Sequence, residues 1–466
     1  DRNRRYSLSL QNFKHFYIHH LSVRMNDIAT FDAAPKSVAI YTLGCKLNQA
    51  ESSQLAEKFI EQGYQIVSAN EAADICLINT CTVTQKAEAR CRHAIRKARQ
   101  ISPDAFLIVT GCYSQLEAET LKHIEGIDLI LGSNTKFSLF DYLKNVEKKH
   151  APEIHLDNGA QLAFLSPWSS SHFEHTRAFL KIQDGCDAFC SYCIVPFARG
   201  RSRSGDPKSI IEAARQMVAN GYREIVLTGA HIGQYGKDLT PENNLVNLLM
   251  QLERIAGLDR IRLSSVEPLE ITPGLISLIA GSERICPHLH IPLQSGDPEI
   301  LQTMNRHYSP ELFEAIIESA IKNIPQVAIG TDVMVGFPGE TDAHFENTFR
   351  LLDSLPLAYL HVFNYSVRKG TKAARLPNRI PNTIRKARSQ RLLEISIMKR
   401  REFHERFFGQ QLQVLFEQMD LNHQLNGLSQ NYIRVKADGN ESLVNQIKSV
   451  QVTRIDDDFV QAVIPD

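Results

Sequence analysis

Three cysteines lie close together in the run Gly185-Cys186-Asp187-Ala188-Phe189-Cys190-Ser191-Tyr192-Cys193, with the spacing C-x3-C-x2-C. A structural zinc site takes four ligands, and most electron-transfer clusters are held by four thiolates, so this set is one ligand short. Three thiolates can hold a [4Fe-4S] cluster whose fourth iron stays open to a small molecule. The alternative interpretation is a zinc loop or a set of buried core thiols.

A second group of cysteines is spread along the chain but lies at equivalent places in the predicted elements. The predicted strands are Val38–Leu43, Asp74–Asn79, Phe106–Thr110 and Asp128–Leu131, and the predicted helices are Glu51–Gln62, Gln85–Gln100 and Ser114–Ile124. Cys45, Cys81 and Cys112 each lie at the end of a strand, and the carboxyl ends of parallel strands share one edge of a sheet. We therefore expect these thiols to converge, and we expect Gly44 and Gly111 to let the backbone turn closely around a bulky group.

The remaining cysteines fit neither group. Cys76 lies inside a predicted strand, Cys91 lies within a predicted helix, and Cys286 precedes a proline. Free cysteine is among the most buried residue types, so structural filling of the core is the expectation for these three.

A second alternation of strands and helices follows a polar connection at about residues 150–175. Its predicted strands are Ala178–Gln183, Glu224–Thr228, Ile261–Ser264, His288–Leu293, Ile329–Val335 and Leu360–Tyr365. Asp206-Pro207 predicts a helix start and Gly221 a helix stop. Six such units predict a partial barrel with its active face where the strands end, and the 186–193 cysteine loop follows the first strand onto that face.

Composition bounds the class of protein. The chain has 466 residues, which predicts two or three domains, and its hydrophobic fraction of 43% and charged fraction of 22% are ordinary for a globular protein. The sequence has no apolar run of bilayer-spanning length and no signal-peptide core, so we expect a cytosolic protein without a membrane partner. Nine cysteines, an odd number with several in close spacing, favour metal ligation over a disulfide framework.

Five phrases in order, together with both cysteine groups, resemble the methylthiotransferase family of radical S-adenosylmethionine (SAM) enzymes. The phrases are Tyr41-Thr42-Leu43-Gly44-Cys45-Lys46-Leu47-Asn48-Gln49, Lys181-Ile182-Gln183-Asp184-Gly185-Cys186, Leu289-His290-Ile291-Pro292-Leu293-Gln294-Ser295-Gly296, Gly336-Phe337-Pro338-Gly339-Glu340-Thr341 and Arg368-Lys369-Gly370-Thr371. The resemblance extends from Val38 to the C-terminus and implies an α/β fold in three parts. These are an N-terminal parallel sheet domain (36–150), a radical SAM partial barrel (176–400) and a small RNA-binding β-barrel of the TRAM type (401–466), with a linker at 151–175 and an extension of unknown role at 1–35.

The resemblance also implies the cofactors. One [4Fe-4S] cluster would be held by Cys186, Cys190 and Cys193, and a second by Cys45, Cys81 and Cys112. In that family the first cluster cleaves SAM to a radical that removes a hydrogen from carbon, and the second presents sulfur that another SAM methylates, so two SAM molecules are used per turnover. A low-potential electron donor such as flavodoxin or ferredoxin is implied, while the sulfur source stays open.

Candidate SAM contacts follow from position on the predicted active face. Thr228 and Gly229, after the second strand, let the backbone approach the methionyl amine. Glu267 and Gln294, after the third and fourth strands, would hydrogen-bond the ribose or the amino-acid part, and the segment from Asp332 to Gly336 resembles the family's adenine-side wall. The alternative for each polar residue is an ordinary loop contact.

Local charge favours a tRNA substrate. Between Ser366 and Phe408 there are 13 Lys or Arg residues against three acids, in a chain of zero net charge. Such a stripe is typical of a phosphate-binding surface, although a solvated helix face has the same composition. Arg199, Arg201 and Arg203 are expected to add positive charge near the mouth of the barrel.

The substrate branch is suggested by two phrases. Gly44-Cys45-Lys46-x-Asn48 and the run from Thr228 to Gly236 resemble the branch that acts on N6-threonylcarbamoyladenosine at position 37 of tRNA. An Arg or Lys near the mouth, Arg199 for example, would pair with the carboxylate of the threonylcarbamoyl group. Action on N6-isopentenyladenosine or on a ribosomal-protein aspartate, and a non-catalytic iron-sulfur RNA-binding or sensor protein, remain as alternatives.

Overall fold

The computed structural model describes residues 36–143, 146–157, 164 and 176–465. The extension at 1–35 and most of the expected linker therefore lie outside the described residues. The described chain forms a parallel sheet, a partial barrel of parallel strands and a closed antiparallel-rich barrel, which confirms the predicted α/β class and its three-part architecture.

The first sheet has six parallel strands in the order β2-β1-β3-β4-β5-β6. Its elements are β1 (Ser37–Thr42), α1 (Lys46–Glu61), β2 (Gln65–Val67), β3 (Ile75–Thr80), α2 (Gln85–Ile101), β4 (Phe106–Gly111), α3 (Cys112–Leu121), β5 (Leu129–Leu131), α4 (Leu139–Tyr142) and β6 (Glu153–His155). Every residue of β3 and β4 is buried, because helices cover both faces of the sheet. Strands β2 and β6 were not predicted, since each is a three-residue edge strand with partly exposed side chains. Strand β6 also occupies the start of the expected linker.

The central part contains two three-stranded parallel sheets in chain order, joined by a bridge between Ile261 and Ile285. Its elements are β7 (Arg177–Lys181), β8 (Gln183–Asp184), α5 (Val195–Arg199), β9 (Arg203–Ser204), α6 (Pro207–Ala219), β10 (Glu224–Thr228), α7 (Leu245–Leu252), β11 (Arg260–Leu263), α8 (Pro273–Gly281), β12 (His288–His290), α9 (Pro298–Thr303), α10 (Pro310–Asn323), β13 (Ala328–Val335), α11 (Asp342–Ser354), β14 (Tyr359–Asn364) and α12 (Asn382–Glu405). Helix α6 begins as predicted, because the Asp206 side chain accepts a hydrogen bond from the Ser209 N–H and Pro207 is the first helical residue.

The C-terminal part is a closed five-stranded barrel in the order β15-β16-β17-β19-β18. Its strands are β15 (Gln411–Met419), β16 (Gln424–Ser429), β17 (Arg434–Asp438), β18 (Ile447–Ile455) and β19 (Val460–Val463). Helix α12 crosses the expected boundary at residues 400/401, since Leu392 packs in the core of the central part and Phe403 packs in the core of this barrel.

Two buried arginines fasten the C-terminal barrel to the interior face of the central part. The Arg260 guanidinium donates to the carbonyl oxygens of Leu428 and Gln413, and Arg262 donates to the Ser429 carbonyl at 3.0 Å. Glu224 accepts from Arg262 at 2.7 Å, so the charge of Arg262 is compensated in the interior. The C-terminal barrel therefore closes off one end of the partial barrel through directed hydrogen bonds.

Candidate metal-binding active site

The 186–193 cysteine loop lies between β8 and α5 and is anchored by backbone hydrogen bonds. Cys186 N–H donates to the Gly200 carbonyl at 3.1 Å, and Ser191 N–H donates to the Met304 carbonyl at 2.9 Å. Gly185 adopts a φ of +68°, and a Cβ on it would lie 1.9 Å from the Arg201 carbonyl oxygen. Only glycine fits there, because any side chain would collide with the backbone of Gly200 and Arg201, in the loop between α5 and β9.

Two charged side chains contact the sulfurs of this loop. Arg306 Nη1 donates to Cys190 Sγ at 3.3 Å while its guanidinium pairs with Glu267. His231 Nδ1 lies 3.4 Å from Cys186 Sγ, and its Nε2 lies 2.8 Å from Glu270. Burial alone would lower the pKa of His231, but its contacts with Cys186 and Glu270 raise the pKa to about 9. Hydrogen bonds to thiolate sulfurs of this kind orient metal ligands and tune a bound cluster.

The cysteines of the first sheet also lie close together. A Cβ on Gly44 would lie 2.6 Å from Cys81 Cβ, so the chain entering Cys45 passes directly against Cys81. Gly44 has a φ of +103°, as Gly111 does, and Cys112 is the first residue of α3. Cys45 in turn is the N-cap of α1. Thiolates at helix N-termini are stabilised by the unpaired N–H groups of the first turn.

Burial raises the thiol pKa of Cys81 and Cys112 in one set and of Cys190 and Cys193 in the other. Burial raises the pKa of Cys81 to about 12, with the neighbouring thiols of Cys112 and Cys45 adding to the rise. The pKa of Cys193 is likewise raised to about 12 by burial, with Cys190 adding to it. Thiols of this kind stay protonated until a cation replaces the protons, as metal ligation requires.

The cysteines of both sets fit a metal cluster that is larger than a single ion. The sulfurs of each set influence one another's ionisation, yet neither set gathers within 4.8 Å among the described residues. Thiolates on one zinc ion are closer than that, because each Zn–S bond is only about 2.3 Å long. The spacing and the three-thiol composition therefore favour an iron-sulfur cluster over a zinc loop.

A buried charge cluster connects the two cysteine sets. Its members are Glu51, Lys136, Lys181, Asp184, Arg199 and Arg203, all of them buried. Arg199 Nη1 donates to Glu51 at 2.8 Å and to Asp184 at 3.1 Å, and its Nη2 donates to Asn48 at 2.7 Å. Burial would raise the pKa of Glu51, but Arg199 and the two lysines hold it well below its usual range. Arg199 and Lys136 also oppose the rise in the pKa of Cys112 that burial causes.

The expectation that Arg199 and Arg203 add positive charge near the mouth is therefore wrong, because both are buried and paired with carboxylates. The Arg199 side chain is 3% exposed and fully engaged with carboxylates, whereas Arg201 is 75% exposed and pairs with Asp187. Helix α5 follows Cys193 and packs against α3, where the Ala198 carbonyl accepts a hydrogen bond from Ser133 of the first sheet domain. The burial of Arg199 depends on partners that lie elsewhere in the sequence. The residues next to Arg199 in the sequence therefore give no indication that it is buried.

The candidate SAM contacts lie at strand ends of the central part. Thr228 ends β10, and a Cβ on Gly229 would lie 2.8 Å from Gln183, which explains the glycine. Gln294 holds a left-handed φ of +66° after β12. Glu267 pairs with Arg306, and the roles of all these residues toward SAM stay predictions.

Asp332 lies on the interior face with two histidines. Burial would raise the pKa of Asp332, but hydrogen bonds from His290 and His361 hold it well below its usual range. Its Oδ1 is 2.9 Å from His290 Nε2 and 3.3 Å from His361 Nδ1. Sequence reasoning missed Arg306, His231, Glu270 and His361; of these, only His231 lies in a phrase that carries the family resemblance.

The other cysteines are buried. Cys91 Sγ accepts a hydrogen bond from Cys81 N–H at 3.4 Å, so it supports the backbone of a candidate ligand. Cys76 lies within β3 and Cys286 lies beside Arg262.

The basic segment divides into buried and exposed parts. Arg368, Arg388 and Lys399 are buried, and Arg391, Arg400 and Arg401 pair with acids, so the stripe is less charged than its composition suggests. The basic loop, residues 366–379, keeps four exposed cations that pair with no acid in the described chain: Lys369, Lys372, Arg375 and Arg379. This loop touches both cysteine regions, because Ala373 N–H donates to Ser191 and Arg368 donates to Thr82, next to Cys81.

None of the helices among the described residues combines the length and the apolar character needed to cross a membrane.

Residues 37–132 match the family described as Uncharacterized protein family UPF0004, and residues 180–352 match the Radical SAM superfamily. The chain is 39% identical to a threonylcarbamoyladenosine tRNA methylthiotransferase MtaB of Aquifex aeolicus, over 86% of this chain and 97% of that protein. It is 36% identical to the protein of the same name in Bacillus subtilis, over 90% of this chain and 94% of the relative. A tRNA-2-methylthio-N(6)-dimethylallyladenosine synthase of Clostridium botulinum is 32% identical, over 89% of this chain and 94% of the relative.

Among solved structures, the fold resembles the radical SAM methyltransferase TsrM of Kitasatospora setae. The TM-score is 0.53 at 13% identity, covering 73% of this chain and 77% of that one. At this level of identity the likeness concerns the fold.

Proposed function

The chain belongs to the radical SAM methylthiotransferase family, and on this premise we propose that it inserts a methylthio group at C2 of N6-threonylcarbamoyladenosine at position 37 of tRNA. The observation that carries the proposal is the adjacency of two three-thiol sets. Cys193 leads into α5, α5 packs against α3, and α3 begins at Cys112. Relatives named for threonylcarbamoyladenosine are 32–39% identical, against 32–35% for relatives named for dimethylallyladenosine, and the two highest identities, 39% and 36%, belong to the first group.

C2 of adenine carries neither a leaving group nor an acidic proton, so its hydrogen must be removed by a radical. When bound, a [4Fe-4S] cluster at Cys186, Cys190 and Cys193 supplies the electron for SAM cleavage, and a second cluster at Cys45, Cys81 and Cys112 supplies sulfur. Arg306 donates a hydrogen bond to Cys190 and so favours its thiolate form. Glu267 positions that guanidinium, while Thr228, Gly229, Gln294 and Asp332 are proposed to orient SAM and the adenine.

The basic loop supports a nucleic-acid substrate. Its exposed cations lie beside both cysteine regions, where phosphates flanking the target nucleotide would pass. The C-terminal barrel is the proposed second RNA contact. A tRNA substrate and thiol-ligated clusters suit a reducing cytoplasm, in which a flavodoxin or ferredoxin would supply electrons.

The proposal is tested by anaerobic reconstitution with iron and sulfide, followed by nucleoside mass spectrometry of tRNA that bears N6-threonylcarbamoyladenosine. We expect its 2-methylthio derivative, formed together with 5′-deoxyadenosine. Isopentenyladenosine tRNA and ribosomal proteins are tested in parallel reactions. The proposal would be contradicted if one of these substrates were methylthiolated and the tRNA bearing N6-threonylcarbamoyladenosine were not. No 5′-deoxyadenosine from SAM and a strong reductant would indicate a non-catalytic protein.

A further inference from the structure

Lys46 occupies a distinctive place between the two halves of the candidate site. It directly follows Cys45 and is the first residue of α1, the helix that packs along β7 of the central part. The side chain is half-buried and lies within electrostatic reach of Arg177, Arg262 and Glu224. Arg262 and Glu224 face the interior of the partial barrel. His288 at the start of β12 lies within reach of the same ammonium. Lys46 therefore points from the thiol edge of the first sheet into the barrel.

The neighbouring cations of this interior have acidic partners. Arg262 pairs with Glu224 at 2.7 Å, Arg177 pairs with Glu417 at 2.6 Å, and Lys181 pairs with Asp184 at 2.8 Å. The Lys46 ammonium has neither an ion pair nor a hydrogen bond within the described chain. A partly desolvated ammonium without a partner is costly, so a charge in this place is expected to meet an anion in the functioning complex.

We propose that Lys46 binds the carboxylate of the threonylcarbamoyl group and thereby selects this substrate, an inference that rests on the proposed function. C2 of the adenine must approach the thiol set that includes Cys45. The N6 substituent is only a few bonds away on the same flat ring, so its carboxylate arrives within a side-chain length of the next residue. A lysine here is thus matched to an anionic substituent, whereas an isopentenyl group offers it no partner.

A backbone phosphate is a poorer occupant of this position. Two of the three charged groups around the ammonium, Arg262 and Glu224, are completely buried, and the third, Arg177, is 20% exposed and paired with Glu417, so the anion has to enter the barrel interior with the target base. The exposed cations of the basic loop are better placed for phosphates. Arg199, the earlier candidate for the carboxylate, is already occupied by Glu51 and Asp184.

The test uses reconstituted holoenzyme and two tRNA anticodon stem-loops, one with the natural threonylcarbamoyl carboxylate and one with that carboxylate converted to a carboxamide. Lys46→Met removes the charge and Lys46→Arg keeps it. Lys58→Met is the matched control, because Lys58 is a half-buried lysine of the same helix whose ammonium instead bonds the Phe137 carbonyl at 2.6 Å. The readouts are kcat and KM for methylthiolation and the Kd of each stem-loop without SAM.

We expect Lys46→Met to lose about 10- to 100-fold in kcat/KM on the carboxylate substrate, mainly through KM, with a matching rise in Kd. Its values on the carboxamide should stay near those of the wild type, Lys46→Arg should recover most of the loss, and Lys58→Met should resemble the wild type. Equal losses on both substrates, or no loss, would overturn the inference while leaving the proposed function standing. A wild-type enzyme inactive on the carboxylate substrate but active on isopentenyladenosine would instead overturn both.

Discussion

Replacing Arg199 with Met tests whether the buried charge cluster holds the first sheet domain against the central part. The substitution removes one guanidinium and its hydrogen bonds to Glu51, Asp184 and Asn48. Removing one partner of a buried ion pair usually costs about 3–5 kcal/mol. Glu51 keeps Lys136 and Lys181, and Asp184 keeps Lys181 and Arg203, so we expect the lower end, about 3 kcal/mol.

Arg201→Met is the matched control, since Arg201 lies two positions further along but is 75% exposed. An exposed pair contributes about 0–1 kcal/mol, so the control should unfold like the wild type. Anaerobic urea unfolding followed by circular dichroism measures the difference, and about 3 kcal/mol corresponds to a midpoint lower by about 1 M for a slope of about 3 kcal/mol per M. The pKa of Glu51 is lowered in the fold, so its contribution is present above the unfolded value of about 4.3 and is lost as pH falls. Neutral pH therefore shows the full effect, and equal midpoints for the two variants would refute the reasoning.

Two other perturbations test the RNA surface and the C-terminal barrel. Changing Lys369, Lys372 and Arg375 together to Ala should weaken tRNA binding for all sequences alike and reduce the slope of log Kd against log salt by about two to three, as filter binding at several salt concentrations would measure; an unchanged slope would contradict a phosphate-binding role. Burial lowers the pKa of His404 to about 4, so the folded state favours the neutral histidine. The free energy of unfolding has its full value above the unfolded pKa of about 6.5 and decreases as pH falls toward the folded pKa. About 1.4 kcal/mol should be lost by about pH 5.5, seen as reduced amide protection factors in β15–β19, and His404→Leu should remove that part of the pH dependence.

Much of the architecture could be predicted from the sequence, because parallel strands that are buried on both faces leave continuous apolar runs. Strand β10 has the predicted bounds, and β3 and β4 differ by a residue or so from theirs. Placing cysteines at strand ends was enough to expect Cys45 and Cys81 on one edge, since the topology of a parallel sheet fixes that edge. Helix α1 starts at Lys46, five residues before the predicted start, and Cys45 occupies its N-cap position without a capping hydrogen bond from its side chain.

The electrostatics of the site could not be predicted in the same way. Arg199 pairs with Glu51, which lies 148 residues earlier, and no local pattern signals a partner so distant. Arg306 contacts Cys190 from 116 residues away for the same reason. Charged residues in a sequence suggest a solvated surface, whereas burial depends on which elements meet. The positions that set the chemistry of the thiols are thus the ones that tertiary contacts decide.

Iron and sulfide analysis of anaerobically reconstituted protein tests the central claim most directly, namely that two separate three-cysteine sets each hold a cluster. The wild type should contain about eight irons per chain, and triple Ala variants of either set should contain about four. The Cys45, Cys81 and Cys112 variant should still cleave SAM to 5′-deoxyadenosine without methylthiolating tRNA, whereas the Cys186, Cys190 and Cys193 variant should do neither. About four irons in a fully active wild type, or zinc in place of iron, would contradict the account.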